Sequence, residues 1–351
     1  MNEKLVALGV YIFAGGFTVG VSRHFKVRAH LEDGMFGVAT TKLNFPKLPV
    51  FPEIKSWPLK TLAAEKIDFI YSNPPCSPWS ATGRSSRRGG DNWRTDLRVS
   101  CVINSFNVFK KVRPHVWVWE SVPRAFTSGR DLVDDLTRQA LRAGYSVTYF
   151  LTDASFHGLP QRRRRFHMVV HNVALSFPKP SMKIVTVGEA LKGIESSWLP
   201  KVSNPDSLKL IKQVKQGESA RHVFDRLNPK AKKSKKLNRI VGRPAWMNHR
   251  LDPDKPSGTL IGAGHCFHPT AHRIISPEEQ AALCGYPKGY KWAGHPGSWY
   301  AQISRAVTPV IGDYLGGVAR RGIEKGEVTR GKVVLIDYRN PDNYKHEVIK
   351  R

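Results

Sequence analysis

The sequence predicts an α/β protein: a mostly parallel sheet with helices on both faces, followed by a smaller basic region. Three observations predict it. Short apolar runs alternate with helix-patterned stretches through the first half of the chain, as successive βα units require. Several of those runs end on glycine, acid or cysteine, the residue types that make sites at the carboxyl edge of an open sheet. After Pro178 the alternation fades and residues 178–249 become polar, basic and irregular.

The elements follow in order. Residues 6–13 read as a buried strand running into the turn Gly15-Gly16. Residues 26–31 read as a second strand ending at Glu32-Asp33, and residues 67–72 as a third, leading into Asn73-Pro74-Pro75-Cys76. Residues 116–119 form a fourth, with Glu120 just past its end. Two more, 145–151 and 166–171, are placed to pair as a hairpin. Val99, Val102, Ile103, Phe106 and Phe109 share one helical face, as do Leu132, Val133, Leu136 and Ala140, with Gly144 as a stop. A further strand-like run, 332–337, lies in the charged tail. The expected organisation is 1–177 as the main domain, 178–249 as a recognition region, 250–320 as its end and the return to the main domain, and 321–351 as a tail.

Composition narrows the function. Of 351 residues, 56 are Lys or Arg against 28 Asp or Glu, a net charge of +28 that repels itself unless a polyanion is near. Nucleic acid is the favoured partner. The densest basic run, Lys230, Lys232, Lys233, Lys235 and Lys236, suits either a solvated face or phosphate contact. No apolar run reaches about 18 residues, so no membrane span is expected, and the apolar stretch 5–17 reads as a strand rather than a signal peptide. The four cysteines, Cys76, Cys101, Cys266 and Cys284, form no CxxC pair, so no metal site is expected and a reducing intracellular compartment fits.

Four clusters carry chemistry. Prolines on both sides of Cys76 stiffen its backbone, so the thiol is positioned rather than merely packed. Nearby arginines are expected to raise its thiolate fraction. Glu120, after the apolar residues 116–119, is a partly desolvated carboxylate suited to hydrogen-bonding or protonating a base ring. In residues 161–165, strand alternation points Gln161, Arg163 and Arg165 one way and Arg162 and Arg164 the other. Gly15, Gly16 and Gly20 allow close approach of a nucleotide-like ligand, and Glu32 is placed to bind ribose hydroxyls, although no GxGxxG is present. Each cluster also has a plain structural reading: a packed cysteine, a helix cap, a solvated basic turn, an ordinary tight turn.

The order of these motifs resembles the DNA cytosine-C5 methyltransferase family from about residue 5 to residue 319. The segment from Phe13 to Gly20 is similar to its first cofactor motif and Glu32 to its ribose acid. Residues 74–80 resemble the nucleophile loop, Trp119-Glu120-Ser121-Val122 the Glu-Asn-Val motif, and residues 158–165 the Gln-x-Arg-x-Arg motif. Downstream, residues 250–259, Phe267-His268-Pro269 with Arg273, Gly285-Tyr286-Pro287 and residues 302–307 resemble the return to the cofactor domain. The resemblance implies a Rossmann-like methyltransferase sheet with a basic target-recognition region. It implies Cys76 as the nucleophile on C6 of a flipped cytosine, Glu120 on N3 and the amine, and Arg163 and Arg165 beside them. S-adenosyl-L-methionine is the implied cofactor, held by Phe13, Gly15, Gly16, Glu32, Pro74, Arg305 and Val307. Double-stranded DNA is the implied partner, met by Arg84, Arg87, Arg88, Gln161 and Thr259. A monomer is expected, in the cytoplasm of a bacterium or phage-infected host and associated with the nucleoid.

Four features depart from the family. The glycine motif is two residues short, Ser121 replaces an Asn, Ser304-Arg305 stands where Gly-Asn is usual, and no acidic adenine motif follows the third strand. Arg305 raises the alternative of a carboxylated S-adenosylmethionine and a carboxymethylcytosine product. The altered cofactor motifs raise another, a catalytically impaired DNA-binding protein of the same fold. An RNA-directed enzyme of the family ranks lower, because the long basic region suits duplex DNA.

Overall fold

A computed structural model describes residues 5–80, 92–202, 205–227, 248–262 and 265–349. The chain forms two compact units: residues 1–157, 163–182 and 306–351 make the first, and residues 158–162 and 183–305 the second.

The first unit is built on a nine-stranded sheet of order β3-β2-β1-β4-β5-β7-β6-β8-β9. Its strands are β1 Val6–Val10, β2 Lys26–Leu31, β3 Val50–Phe51, β4 Phe69–Ser72, β5 Val116–Ser121, β6 Ser146–Asp153, β7 Arg164–His171, β8 Val333–Tyr338 and β9 Lys345–Val348. β3, β2, β1, β4 and β5 pair in parallel. β7 enters antiparallel between β5 and β6, the hairpin expected from the sequence. The tail run is β8, parallel to β6, and β9 closes the edge antiparallel to it.

Strand alternation sends neighbouring side chains to opposite faces, and helices cover both. Ile70, Trp117 and Trp119 join one core with Phe106, Phe109, Val133 and Leu136 from the helices Val99–Val112 and Arg130–Arg142. Tyr71 instead meets Phe17 of helix Gly16–Val21, their rings 5.0 Å apart. That short helix packs against Pro309–Lys325 so closely that a Cβ on Gly20 would sit 2.2 Å from the Pro309 carbonyl oxygen. Gly20 is therefore a helix-crossing residue.

Strand order reverses between β1 and β4: the chain winds outward to β2 and β3, then returns beyond β1. Such a switch point opens a crevice beyond the carboxyl ends of the strands. Register aligns those ends, pairing Val10 with Leu31 and Ser72, and Ser72 with Trp119. The residues that follow, from Glu32 and from Asn73 to Cys76, leave the sheet on one edge. Several bounds differ from expectation: β1 ends at Val10 rather than at residue 13, β4 starts at Phe69, and β3 and β9 are strands the sequence did not predict. The two-residue β3 has flanking prolines and no apolar periodicity to betray it. Glu120 lies inside β5, because β7 extends the pairing through Glu120–His167 and Ser121–Phe166.

The second unit has little regular pairing. Helix Pro277–Leu283 starts with a capping box between Ser276 and Glu279, and Val187–Leu191 with one between Thr186 and Glu189. A small core gathers Leu210, Ile211, Val214, Ala220, Val223 and Phe267. Buried Arg250 binds it together, donating to the carbonyls of Val214, Ile211, His268 and Ala271 at 2.5–2.8 Å.

Candidate active site

Cys76 follows β4 in a turn closed by its own carbonyl, which accepts from the amides of Trp79 at 3.1 Å and Ser80 at 3.0 Å. Trp79 anchors that turn. Its buried ring lies 5.8 Å from Trp119 and 5.9 Å from Trp93. Gly129 makes room for it, since a Cβ there would come within 2.6 Å of the indole nitrogen. The thiol is half-buried at the surface of an aromatic support.

Glu120 is buried at 2% exposure, which makes any unpaired charge costly. Two partners meet it: Arg165 Nε lies 2.9 Å from one carboxylate oxygen, and Asn73 Nδ2 donates to the other at 2.8 Å. Asn73 also ties the strand ends together, its amide donating to the Val10 carbonyl at 3.2 Å. Arg163 is buried, its amide donating to Asp153 at 2.9 Å and its guanidinium to the Ala306 carbonyl at 3.0 Å. Burial alternates from Gln161 to Arg164 as a strand approach should, with Arg162 and Arg164 exposed.

At Cys76 a further force outweighs the arginines. Burial pushes the thiol above its ordinary value, and Glu120 adds to that push. Arg165 and Arg163 pull the other way without prevailing. The arginines thus limit the cost of forming a thiolate instead of making one in advance.

On the cofactor side, Glu32 is a buried carboxylate at the end of β2. One oxygen accepts from the Phe13 amide at 2.5 Å and the other from the Gly34 amide at 2.8 Å. Burial raises its pKa to about 7. Gly15 takes φ 80°, and Phe13 and Tyr11 both take φ 56°, a left-handed conformation that non-glycine residues hold only where surroundings force it. Each Glu32 oxygen keeps a lone pair beyond its amide partner, so the group fits a ribose diol. Gly16 begins its helix, and Pro74 and Val307 are buried.

The remaining expected residues fall in the second unit or outside the described chain. Gln161 is buried; its amide donates to Leu283 O at 3.3 Å and faces Cys284 Sγ at 3.1 Å, while its oxygen accepts from the Leu260 amide. Thr259 is exposed and donates to the Arg162 carbonyl at 2.8 Å. Arg305 is exposed at the end of helix Pro296–Arg305. Arg84, Arg87, Arg88 and the lysines from 230 to 236 lie outside the described residues. Sequence reasoning missed Asn73, Trp79, Gly129 and Asp153 as positioning residues. Only Asn73 left a signal, as a polar residue between a buried strand and two prolines.

A methyltransferase-type sheet with a cysteine, an acid and two arginines at one edge defines a class: enzymes that add a methyl group to C5 of cytosine in DNA. Residues 11–318 match the C-5 cytosine-specific DNA methylase family, and the chain belongs to it. It is 27% identical to the type II methyltransferase M1.HphI of Haemophilus parahaemolyticus over 88% of this chain and 84% of that one. It is 25% identical to the type II methyltransferase M.BbvI of Brevibacillus brevis, over 75% and 72%. The Entamoeba histolytica methyltransferase EhMeth shares the fold, with a TM-score of 0.65 and 11% identity over 92% of this chain and 99% of that one.

Proposed function

We propose that this chain methylates C5 of a cytosine flipped out of duplex DNA, with Cys76 as the covalent nucleophile. The observation that supports it best is the Cys76 turn beside the buried Glu120, itself held by Arg165 and Asn73. A base stacked in a duplex is out of reach of a buried carboxylate at a sheet edge, so flipping is part of the reading. The Cys76 thiol loses its proton to solvent, its thiolate adds to C6, and the ring electrons move toward C5. A proton passes through Glu120 to N3 as charge grows there, the exocyclic amine donates to the other carboxylate oxygen, and Arg165 holds the group in place; N3 returns that proton through Glu120 when the thiolate leaves. S-adenosyl-L-methionine supplies the methyl group that C5 takes. A base then removes the C5 proton, and the electrons left on C5 expel the Cys76 thiolate from C6.

Phe13, Gly15, Gly16, Glu32, Pro74 and Val307 would hold the cofactor, with the Glu32 carboxylate on the ribose hydroxyls. Thr259, and Gln161 through the loop it braces, would serve the DNA side, with Arg84, Arg87 and Arg88 near phosphates. A monomer in the cytoplasm suits this role. Arg305 is exposed and carries no argument for a carboxylated cofactor, so methyl transfer is preferred.

Nucleoside mass spectrometry of DNA from cells expressing the protein tests the reading. The wild type is expected to yield 5-methylcytosine and the Cys76→Ala variant none. Unmodified DNA, or equal modification by both proteins, overturns it.

A further inference from the structure

The second unit gathers two imidazoles and a thiol. A parallel bridge joins Arg250 to Phe267; the Phe267 amide donates to the His249 carbonyl at 2.8 Å and the Leu251 amide to the Phe267 carbonyl at 3.1 Å. This pairing sets His249 beside Cys266. The Arg250 guanidinium, spread over four carbonyls, fixes the segment from below. On the other strand, the Ile275 amide donates to the Cys266 carbonyl at 3.0 Å.

His249 Nε2 and Cys266 Sγ lie 3.7 Å apart. A tetrahedral zinc centre, with Zn–N about 2.0–2.1 Å and Zn–S about 2.3 Å, sets its nitrogen and sulfur ligands about 3.6 Å apart. One ligand atom from each of His249, His265 and Cys266 lies within 4.8 Å of the other two. The two rings stand 6.0 Å apart and inclined at 60°, so both can aim a nitrogen at a common point. Cys266 and His265 are buried and His249 is half-buried, which closes the cluster on one side and leaves an approach past His249.

We propose that His249, His265 and Cys266 bind one divalent transition-metal ion, with zinc as the best chemical match. Two imidazoles and a thiolate select zinc or cobalt over magnesium or calcium, which prefer oxygen. Three protein ligands leave one tetrahedral position for water. On binding, the Cys266 thiol loses its proton to solvent as the sulfur–metal bond forms. The ion would tie together the two ends of the 250–262 segment. That segment carries Ser257, which bridges to Gln161, and Thr259, which bonds the Arg162 carbonyl. The ion would brace the loop that ends at Arg162. Sequence spacing concealed the site, because its ligands come from two separated segments.

The test uses the full chain stripped with chelator and titrated with cobalt(II) chloride, then zinc chloride. One cobalt per chain is expected, with a near-ultraviolet thiolate-to-cobalt charge-transfer band and the strong visible bands of four-coordinate cobalt, all removed by zinc. Cys266→Ser is expected to lose the charge-transfer band, and His249→Gln to weaken cobalt binding about tenfold or more. Cys76→Ala is expected to keep both, which separates this site from the catalytic thiol; binding at this site does not depend on the proposed activity. Should Cys266→Ser fail to fold, the His249→Gln titration carries the test. No stoichiometric cobalt at micromolar metal, or an unchanged spectrum in either variant, overturns the proposal and leaves a thiol–imidazole hydrogen bond.

Discussion

The two units hold themselves together by different means. The sheet unit buries large aromatic side chains on both faces of nine strands, and its polar groups concentrate where strands end. The second unit, in its described residues, includes a small cluster around Leu210, Ile211 and Phe267 that is tied by side chains reaching backbone carbonyls, above all Arg250. The first arrangement fixes a thiol and a carboxylate with little freedom, as bond-making requires.

Acid should break the sheet unit most. His30 and His167 are buried with pKa values lowered to about 3, and His157 and His171 to about 4, all by desolvation. The unfolded chain protonates these groups near 6.5, so their contribution is complete above that pH and is lost as pH falls toward the folded values. Glu32, raised to about 7, works the other way between about 7 and 4.5, and one group opposes four. Stability should fall by about 2 kcal/mol per pH unit near 6.5 and more steeply nearer pH 5.5. Hydrogen exchange between pH 7 and 5 should show protection falling across β1, β4 and β7. A flat profile would mean that these imidazoles are not held neutral.

Arg250→Ala should break the second unit. Four carbonyls lose their donor, at a cost of about 3 kcal/mol or more. Exchange should accelerate in residues 205–223, while β1 to β7 keep their protection. Uniform loss throughout the chain would contradict separate means of support.

Gly129→Ala sharpens the account of the Cys76 turn. The added methyl meets Trp79 at 2.6 Å, and displacement of that ring should cost about 1–3 kcal/mol. Methyl transfer should slow more than cofactor binding weakens, measured as kcat against Kd for S-adenosylmethionine. Equal loss in both would place Trp79 in general packing.

The smallest effects concern the thiol. Alkylation of Cys76 by iodoacetamide, followed by peptide mass mapping, should be slow at neutral pH and rise in the alkaline range. Glu120→Gln removes a group that raises the thiol and should speed alkylation a few-fold; Arg165→Gln should slow it. Opposite signs would mean that a different group governs Cys76.

Local patterns made much of the sheet unit legible. Residues 26–31 matched β2 because an apolar run met an acidic pair at its end. Alternation between Gln161 and Arg164 was readable because two-residue periodicity needs no tertiary knowledge. Cys76 stood out by its flanking prolines. Other features required the folded chain. β3 is too short for periodicity, Gly20 looked like a ligand turn until its partner helix was in place, and Glu120 lies inside its strand only because β7 pairs beside it. The arginines pull the Cys76 thiol down as their charge suggests, but desolvation outweighs them, and desolvation is not visible in sequence. Arg250 and the His249–Cys266 pair emerge only from backbone pairings between separated segments.

The central claim is tested most directly by incubating the protein and S-adenosylmethionine with duplex DNA carrying 5-fluorocytosine, which has no C5 proton to surrender. A denaturation-resistant protein–DNA adduct is predicted, mapping by peptide mass to Cys76, dependent on the cofactor and absent in Cys76→Ala. An adduct on another residue, or methylated product without any adduct, would contradict the account.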